Sequence, residues 1–194
     1  MKKCLLFLLA AAFVLFLSGS AMATAAPGGD ASYYFVTYYS NNVSGAPDAT
    51  LRFINDGDTV GADVEGDGYL YPWIFVFDDS QELQECGVCS ISPDGILSED
   101  VKTQLTNNTL TGKVPSRGVI KVFEFYGNPG LHGWATHIER ATPTSGAYTT
   151  TEAPFADSNL TEEEYSTLYD LCYYEVELGS GQGVISCTPE DEDF

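Results

Sequence analysis

Short apolar stretches separated by turn residues dominate the chain after its first two dozen residues. In Ala49 to Ile54, apolar and polar side chains alternate, which is typical of a strand with one buried face. Trp73 to Phe77 and most of Gly118 to Phe125 are apolar at consecutive positions, which indicates central strands covered on both sides. Tyr33 to Tyr39 and Trp134 to Glu139 add two further candidate strands.

The turn sequences between these stretches set the fold class. They include Asp56-Gly57, Asp67-Gly68, Pro93-Asp94-Gly95 and Asn128-Pro129-Gly130. Strands at this spacing predict a mainly β fold, an antiparallel β-sandwich of immunoglobulin-like or related type. The segment from Arg140 to Ser158 is rich in Thr, Ala and Pro and is predicted to be a long surface loop.

One segment has the pattern of a helix instead. Thr161 followed by Glu164 forms a capping box, and Leu160 with Tyr165 forms the matching hydrophobic staple. Leu168 and Cys172 continue the apolar stripe at helical spacing, and Gly179 is a natural C-terminal cap. We therefore expect a single C-terminal helix at about residues 161–178, followed by a last strand at 184–187.

The chain begins like an exported protein. Lys2 and Lys3 precede an apolar run from Cys4 to Leu17, and Ala21-Met22-Ala23 fits a signal-peptidase site. This pattern predicts a signal peptide at residues 1–23, one domain at 24–188 and an acidic tail at 189–194. The product is expected to be secreted, at the cell surface or periplasmic, with no membrane span once the signal is removed.

The charged-residue composition limits the classes of molecule that this protein is expected to bind. The 194 residues hold 28 Asp and Glu against 8 Lys and Arg, a net charge of −20. Removal of Lys2 and Lys3 with the signal leaves 6 basic residues and a charge of −22. Because phosphate binding needs a basic face, this charge argues against a nucleic-acid partner. An extracellular partner or self-association is expected instead, although the charge also fits a protein from a salty habitat.

Four cysteines remain after signal removal: Cys86, Cys89, Cys172 and Cys187. In an oxidising compartment they predict two disulfides with three alternative connectivities. The favoured pairing is Cys172 with Cys187, which closes a short loop, and Cys86 with Cys89. The sequence from Cys86 to Cys89 is also a C-x-x-C, so a redox protein or, with His132 and His137, a zinc protein is an alternative. Its turn-like context and the lack of a βαβ pattern favour a structural disulfide in a turn.

Acidic residues alternate with glycines between two predicted strands, and this segment is the candidate metal site. The carboxylates are Asp56, Asp58, Asp63, Glu65 and Asp67. Flexible loops of this kind supply the six to eight oxygens that calcium takes, so calcium is the one cofactor hypothesis. Residues 63–68 resemble the first half of an EF-hand loop, but Ile74 stands where that loop needs a bidentate Glu. A solvated acidic loop is the alternative reading.

The order of several pieces resembles a family of uncharacterised secreted bacterial proteins. The pieces are residues 49–55, 75–78, 81–86, 91–95, 110–112, 118–122 and 136–138, with the segment from Cys172 to Cys187. The resemblance implies export and a single domain, and it implies no activity. Members of that family carry an additional cysteine next to Cys86, where this chain has Gly87, which leaves the pairing of Cys86 with Cys89 open.

No nucleophile–base motif stands out, so no catalytic residue is assigned. A histidine base would have to be His132 or His137, and His137 is expected on the exposed face of its strand. The sequence thus favours a non-catalytic exported β-sandwich with a binding, adhesive or assembly role. Under the calcium hypothesis, this sandwich is also stabilised by bound calcium. A secreted hydrolase with an unrecognised site is the alternative.

Overall fold

The computed structural model describes residues 34–41, 43–58, 67–107, 114–142, 144, 146–178, 183–185 and 187. The predicted signal peptide, residues 1–23, and the predicted tail, residues 189–194, lie outside the described residues. So does Gly179.

Nine strands and one helix make up the described chain. In chain order they are β1 (Tyr34–Ser40), β2 (Thr50–Asn55), β3 (Pro72–Asp78), β4 (Leu83–Val88), β5 (Ile96–Asp100), β6 (Arg117–Glu124), β7 (Leu131–Arg140), β8 (Tyr148–Pro154), β9 (Ala156–Asp157) and α1 (Glu162–Leu178). One sheet has the order β4-β3-β6-β1-β9 and the other the order β5-β2-β7-β8. All of these strand pairs are antiparallel, so the predicted β-sandwich with a C-terminal helix is confirmed.

The two sheets and α1 form three layers, and a hydrophobic cluster lies between each adjacent pair of layers. The larger lies between the sheets and includes Phe53, Leu97 and Ile120. The smaller lies between the five-stranded sheet and α1. Strand β3 serves both, because Ile74 and Val76 enter the first cluster while Trp73 and Phe75 enter the second. Its uninterrupted apolar sequence follows from this position, as predicted.

Helix α1 begins where the capping box placed it. The backbone N–H of Glu164 donates to Thr161 Oγ1 at 3.1 Å. Leu168 and Cys172, both 1% exposed, form its buried stripe. The N-terminal turn is tied to the sheet through Glu164, which accepts a hydrogen bond from Tyr34 Oη at 3.2 Å and pairs with Lys121. Burial, followed by the Glu164 carboxylate, raises the pKa of Tyr34.

The predicted disulfide pairing was wrong. Cys86 is bonded to Cys172 and Cys89 to Cys187. Cys86 lies on β4, not in the predicted turn, and residues an odd number of positions apart on an extended chain point to opposite faces. Cys86 therefore belongs to the cluster under α1 and Cys89 to the cluster between the sheets. Each cysteine of the C-x-x-C therefore forms its disulfide in the cluster that its own side chain enters.

The prediction of a long loop from Arg140 to Ser158 was also wrong, because this segment contains β8 and β9. The threonines at 149–151 are β-branched and suit a strand. They pair with β7, a partner that only the tertiary fold supplies. Of the predicted last strand, the described residues retain a bridge between Val184 and Cys86.

Candidate functional site

A continuous row of aromatic side chains runs from α1 past Trp73 of β3 to the turn after β6. We call it the aromatic strip, and it comprises Tyr71, Trp73, Phe125, Tyr126, Tyr165, Tyr169, Tyr173 and Tyr174. Neighbouring ring centroids lie between 4.9 Å (Phe125 to Tyr126) and 6.2 Å (Tyr165 to Tyr169) apart. These separations are those of interacting rings, so the strip is one packed surface.

Helix α1 and the turn after β6 supply most of the rings of this surface, and β3 supplies the ring that connects them. Tyr165, Tyr169 and Tyr173 are four residues apart on α1, so they lie on one side of the helix, and the rings of Tyr169 and Tyr173 are parallel to within 9°. The turn after β6 supplies Phe125 and Tyr126. Trp73 joins the halves, because its ring lies 5.4 Å from Phe125 and 5.5 Å from Tyr169.

One part of the strip is buried and held in place, and the other part is exposed to solvent. Trp73 is 7% exposed, and its Nε1–H donates to Cys172 Sγ at 3.4 Å, beside the disulfide that fastens α1 to the sheet. The outer rings are open to solvent: Tyr126 is 46% exposed, Tyr173 47% and Tyr174 59%. A contiguous exposed aromatic patch on a fixed support is typical of an interaction surface.

The surroundings of the strip are acidic. Glu162, Glu163 and Asp170 are exposed on the same helix, whose sequence contains no Lys or Arg. Aromatic faces carry negative electrostatic potential, and the net charge of −20 adds a long-range field of the same sign. Cations are therefore attracted to this surface, and anions are repelled.

The candidate calcium residues are only partly described, since Asp63 and Glu65 lie outside the described residues. Asp56 Oδ1 accepts from the backbone N–H of Asp58 at 2.9 Å, and Asp67 Oδ1 accepts from that of Tyr69 at 3.1 Å. The Asp58 N–H is the main cause of the lowered pKa of Asp56, and His132 is the second. Within the described ranges, no three His, Cys, Asp or Glu side chains converge as metal ligands. Calcium binding stays a prediction.

The two histidines occupy different environments. His132 is exposed, and its Nε2 lies 2.9 Å from Asp56 Oδ2. His137 is 2% exposed, stacks on Tyr38 at 4.0 Å and has Nε2 2.9 Å from the Tyr38 carbonyl oxygen. The expectation of an exposed His137 was wrong, because its side of β7 faces β1. Neither contact is a nucleophile–base pair.

All four cysteines are used in disulfides, and this bears on the C-x-x-C. Cys86 and Cys89 do not form the mutual disulfide of a C-x-x-C redox centre. Cys86, Cys89 and Cys172 are at most 1% exposed. Because zinc binds thiolates and not disulfide sulfurs, cysteines in this state are not zinc ligands.

A pair of buried carboxyl groups, Glu85 on β4 and Glu99 on β5, was not anticipated. Glu85 is opposite Val76, whose side chain enters the cluster between the sheets, and Glu99 lies two residues from the core residue Leu97 on the same strand face. Burial, reinforced by the charge of Glu99, raises the pKa of Glu85 to about 7, although the Asn107 N–H acts in the opposite direction. Glu85 is 5% exposed and Glu99 0%, so we interpret the pair as structural.

The sequence contained a usable signal for the aromatic strip, which was missed. The four-residue spacing of Tyr165, Tyr169 and Tyr173 marks one side of a helix. Trp73, Phe125 and Tyr126 carry no such signal, because their proximity to α1 depends on the packing of the helix across the sheet. Glu85 precedes a cysteine in an unremarkable polar stretch.

Comparisons with protein-family models, curated proteins and solved structures found no match to the chain. Two disulfides are typical of extracytoplasmic proteins. No helix in the described ranges has the length and apolarity needed to cross a bilayer. The aromatic strip is thus the candidate functional site, on geometry alone.

Proposed function

We propose that the protein is an exported, non-catalytic β-sandwich that binds a cationic, Arg- or Lys-rich segment of an extracellular partner on the aromatic strip. The observation that carries this proposal is the strip itself, whose exposed rings are held in one surface by Trp73 and by the disulfide to Cys172. Export is supported by the leader sequence and the two disulfides.

The charge distribution favours a cationic ligand. A guanidinium or ammonium group over a tyrosine face gains about 0.5–1 kcal/mol at an exposed site. The carboxylates of Glu163 and Asp170 are on the same helix to accept hydrogen bonds from such a group. Arg is expected to bind more tightly than Lys, because its planar guanidinium also stacks on aromatic rings.

Isothermal titration calorimetry with three peptides of equal length tests the proposal. The peptides are rich in Arg, in Lys or in Glu. We expect binding in the order Arg, then Lys, with none for Glu, and weaker binding as salt rises. Replacing Tyr173 with Ala should weaken Arg-peptide binding about 2- to 5-fold, and Tyr173→Phe should restore most of it.

The control variant is Tyr38→Ala, because Tyr38 has similar exposure (49% against 47% for Tyr173) but lies on β1, outside the strip. Equal losses in the two variants, or no binding of the Arg peptide, would contradict the proposal. Binding of a neutral glycan with the same dependence on Tyr173 would keep the strip as the site and refute the cationic ligand. N-terminal sequencing of material from the culture medium tests export, with Thr24 as the expected first residue.

A further inference from the structure

Strand β8 is more exposed than every other strand that is longer than two residues. It is the last strand of the four-stranded sheet and pairs with β7. Six of its seven residues are exposed and Ala153 is half-buried, so neither face of the strand is covered. Within the described ranges, the outer edge of β8 adjoins no other strand. A strand edge of this kind presents a row of N–H and C=O groups to any strand that approaches it.

The other three sheet edges are blunted. Strand β9 is two residues long. The pairing of β4 with β3 shifts register between Val76 and Phe77, and the outer side of β4 carries the bridge from Cys86 to Val184. Strand β5 has only five residues and ends in the charged residue Asp100. Short strands, bulges and charges are the usual protections against edge-to-edge pairing. Strand β8 has no bulge, and its seven pairs with β7 run from Tyr148 to Pro154 without a shift. Its one charged residue and its one proline, Glu152 and Pro154, lie at its C-terminal end, which leaves residues 148–151 without either protection.

The distribution of charge along the sequence favours a second copy of this chain as the partner of this edge. Residues 141–151 contain no charged side chain, in a chain of net charge −20. Two copies of so acidic a protein repel each other over most approaches, whereas the uncharged stretch that ends at Thr151 adds no repulsion of its own. If two β8 strands pair antiparallel about Thr151, each Glu152 lies opposite a Thr150, so the pairing places no like charges directly opposite.

We propose that β8 is a self-association edge, on which two copies of this chain pair β8 with β8 about a twofold axis and join their four-stranded sheets into one. Such an interface is isologous, so it closes at the dimer. A seven-residue edge is short compared with a standard interface of about 1,600 Å², so the dimer is reversible and concentration-dependent. Because the opposing force is charge repulsion, salt tightens the dimer.

Sedimentation velocity of the purified exported chain across a concentration series, in 0.1 M and then 1 M NaCl buffers (Debye lengths of about 10 and 3 Å), tests this proposal. The expected result is a monomer–dimer equilibrium that shifts toward dimer at high salt. The double variant Thr149→Glu with Thr151→Glu should weaken the dimer at least about tenfold, since it puts Glu opposite Glu at the axis. The double variant Thr103→Glu with Ser116→Glu adds the same charge at exposed positions outside β8 and should leave most of the affinity.

Hydrogen–deuterium exchange locates the interface independently. Exchange of the amides of residues 148–154 should slow as protein concentration rises, while that of β5, the opposite edge of the same sheet, should not change. A monomer at all concentrations, a dimer that resists the β8 variant but not the control, or protection confined to another surface would each overturn the proposal. None of these results decides whether a single strip binds a short peptide, because that binding is assayed separately on Tyr173.

Discussion

Glu85 is expected to make the stability of this protein decrease as the pH rises through neutrality. Burial and the charge of Glu99 raise the pKa of this carboxyl group from 4.5 to about 7 in the folded chain. The folded protein therefore keeps a proton on Glu85 over a pH range in which the unfolded chain has released it. The resulting stabilisation is complete below about pH 4.5 and is lost as the pH rises through about 7.

The magnitude follows from the raised pKa. One pKa unit corresponds to 1.36 kcal/mol, so the difference between 4.5 and about 7 amounts to about 3 kcal/mol of unfolding free energy. The variant Glu85→Gln is neutral at every pH and resembles the protonated acid. We expect it to match the wild type near pH 4.5 and to exceed it by about 3 kcal/mol at pH 8.5.

Urea unfolding at intervals from pH 4.5 to 8.5 measures this difference, because the carboxylates that do not interact with Glu85 contribute equally to both proteins and cancel. Glu82→Gln is the matched control, since Glu82 is exposed three residues away. Its curve should run parallel to that of the wild type. Glu99→Gln removes a neighbouring charge and should move the wild-type transition to lower pH. A constant difference between Glu85→Gln and wild type over the whole range would refute the reasoning.

Three further predictions concern packing, cross-links and metal. Gly118→Ala should destabilise the fold by about 1–3 kcal/mol, because its Cβ would overlap the carbonyl oxygen of Phe77. Gly146→Ala, with open space around it, should be near neutral in the same unfolding assay. Replacing Cys89 and Cys187 together with Ser should cost about 3 kcal/mol, because with the Cys86–Cys172 disulfide intact this bond closes a loop of only about 18 residues. Non-reducing peptide mapping should find Cys86 with Cys172 and Cys89 with Cys187, and any other pairing would contradict the layered arrangement. The calcium hypothesis predicts a higher melting temperature in millimolar calcium than in chelator, abolished by Asp63→Asn with Asp67→Asn; an unchanged melting temperature would remove it.

The two proposed surfaces belong to different layers of the molecule. The aromatic strip lies over the five-stranded sheet, and β8 is at the edge of the four-stranded sheet. Dimerisation through β8 therefore leaves both strips accessible and doubles the number of binding sites for a repetitive cationic partner. Two linked sites bind such a partner more tightly than one, through a raised effective concentration.

Local patterns in the sequence were sufficient to locate individual strands and the helix. Alternating side chains located β2, the doubly apolar run located β3, and the capping box located the first turn of α1. These signals act over a few residues, through side-chain periodicity and backbone capping, and are therefore readable before any packing is known. Strand β8 escaped this approach because its threonine-rich sequence has no apolar face and depends on β7 for its pairing.

The tertiary structure decided which distant residues meet. Cys86 and Cys89 are neighbours in sequence but point into different layers, so their disulfide partners depend on what packs on each face of β4. For the same reason Trp73 joins tyrosines of α1, and Glu85 faces Glu99 across the sandwich. Composition and periodicity determine which side chains are buried or exposed along each element, whereas cross-links, raised pKa values and shared surfaces arise from contacts between elements far apart in the chain.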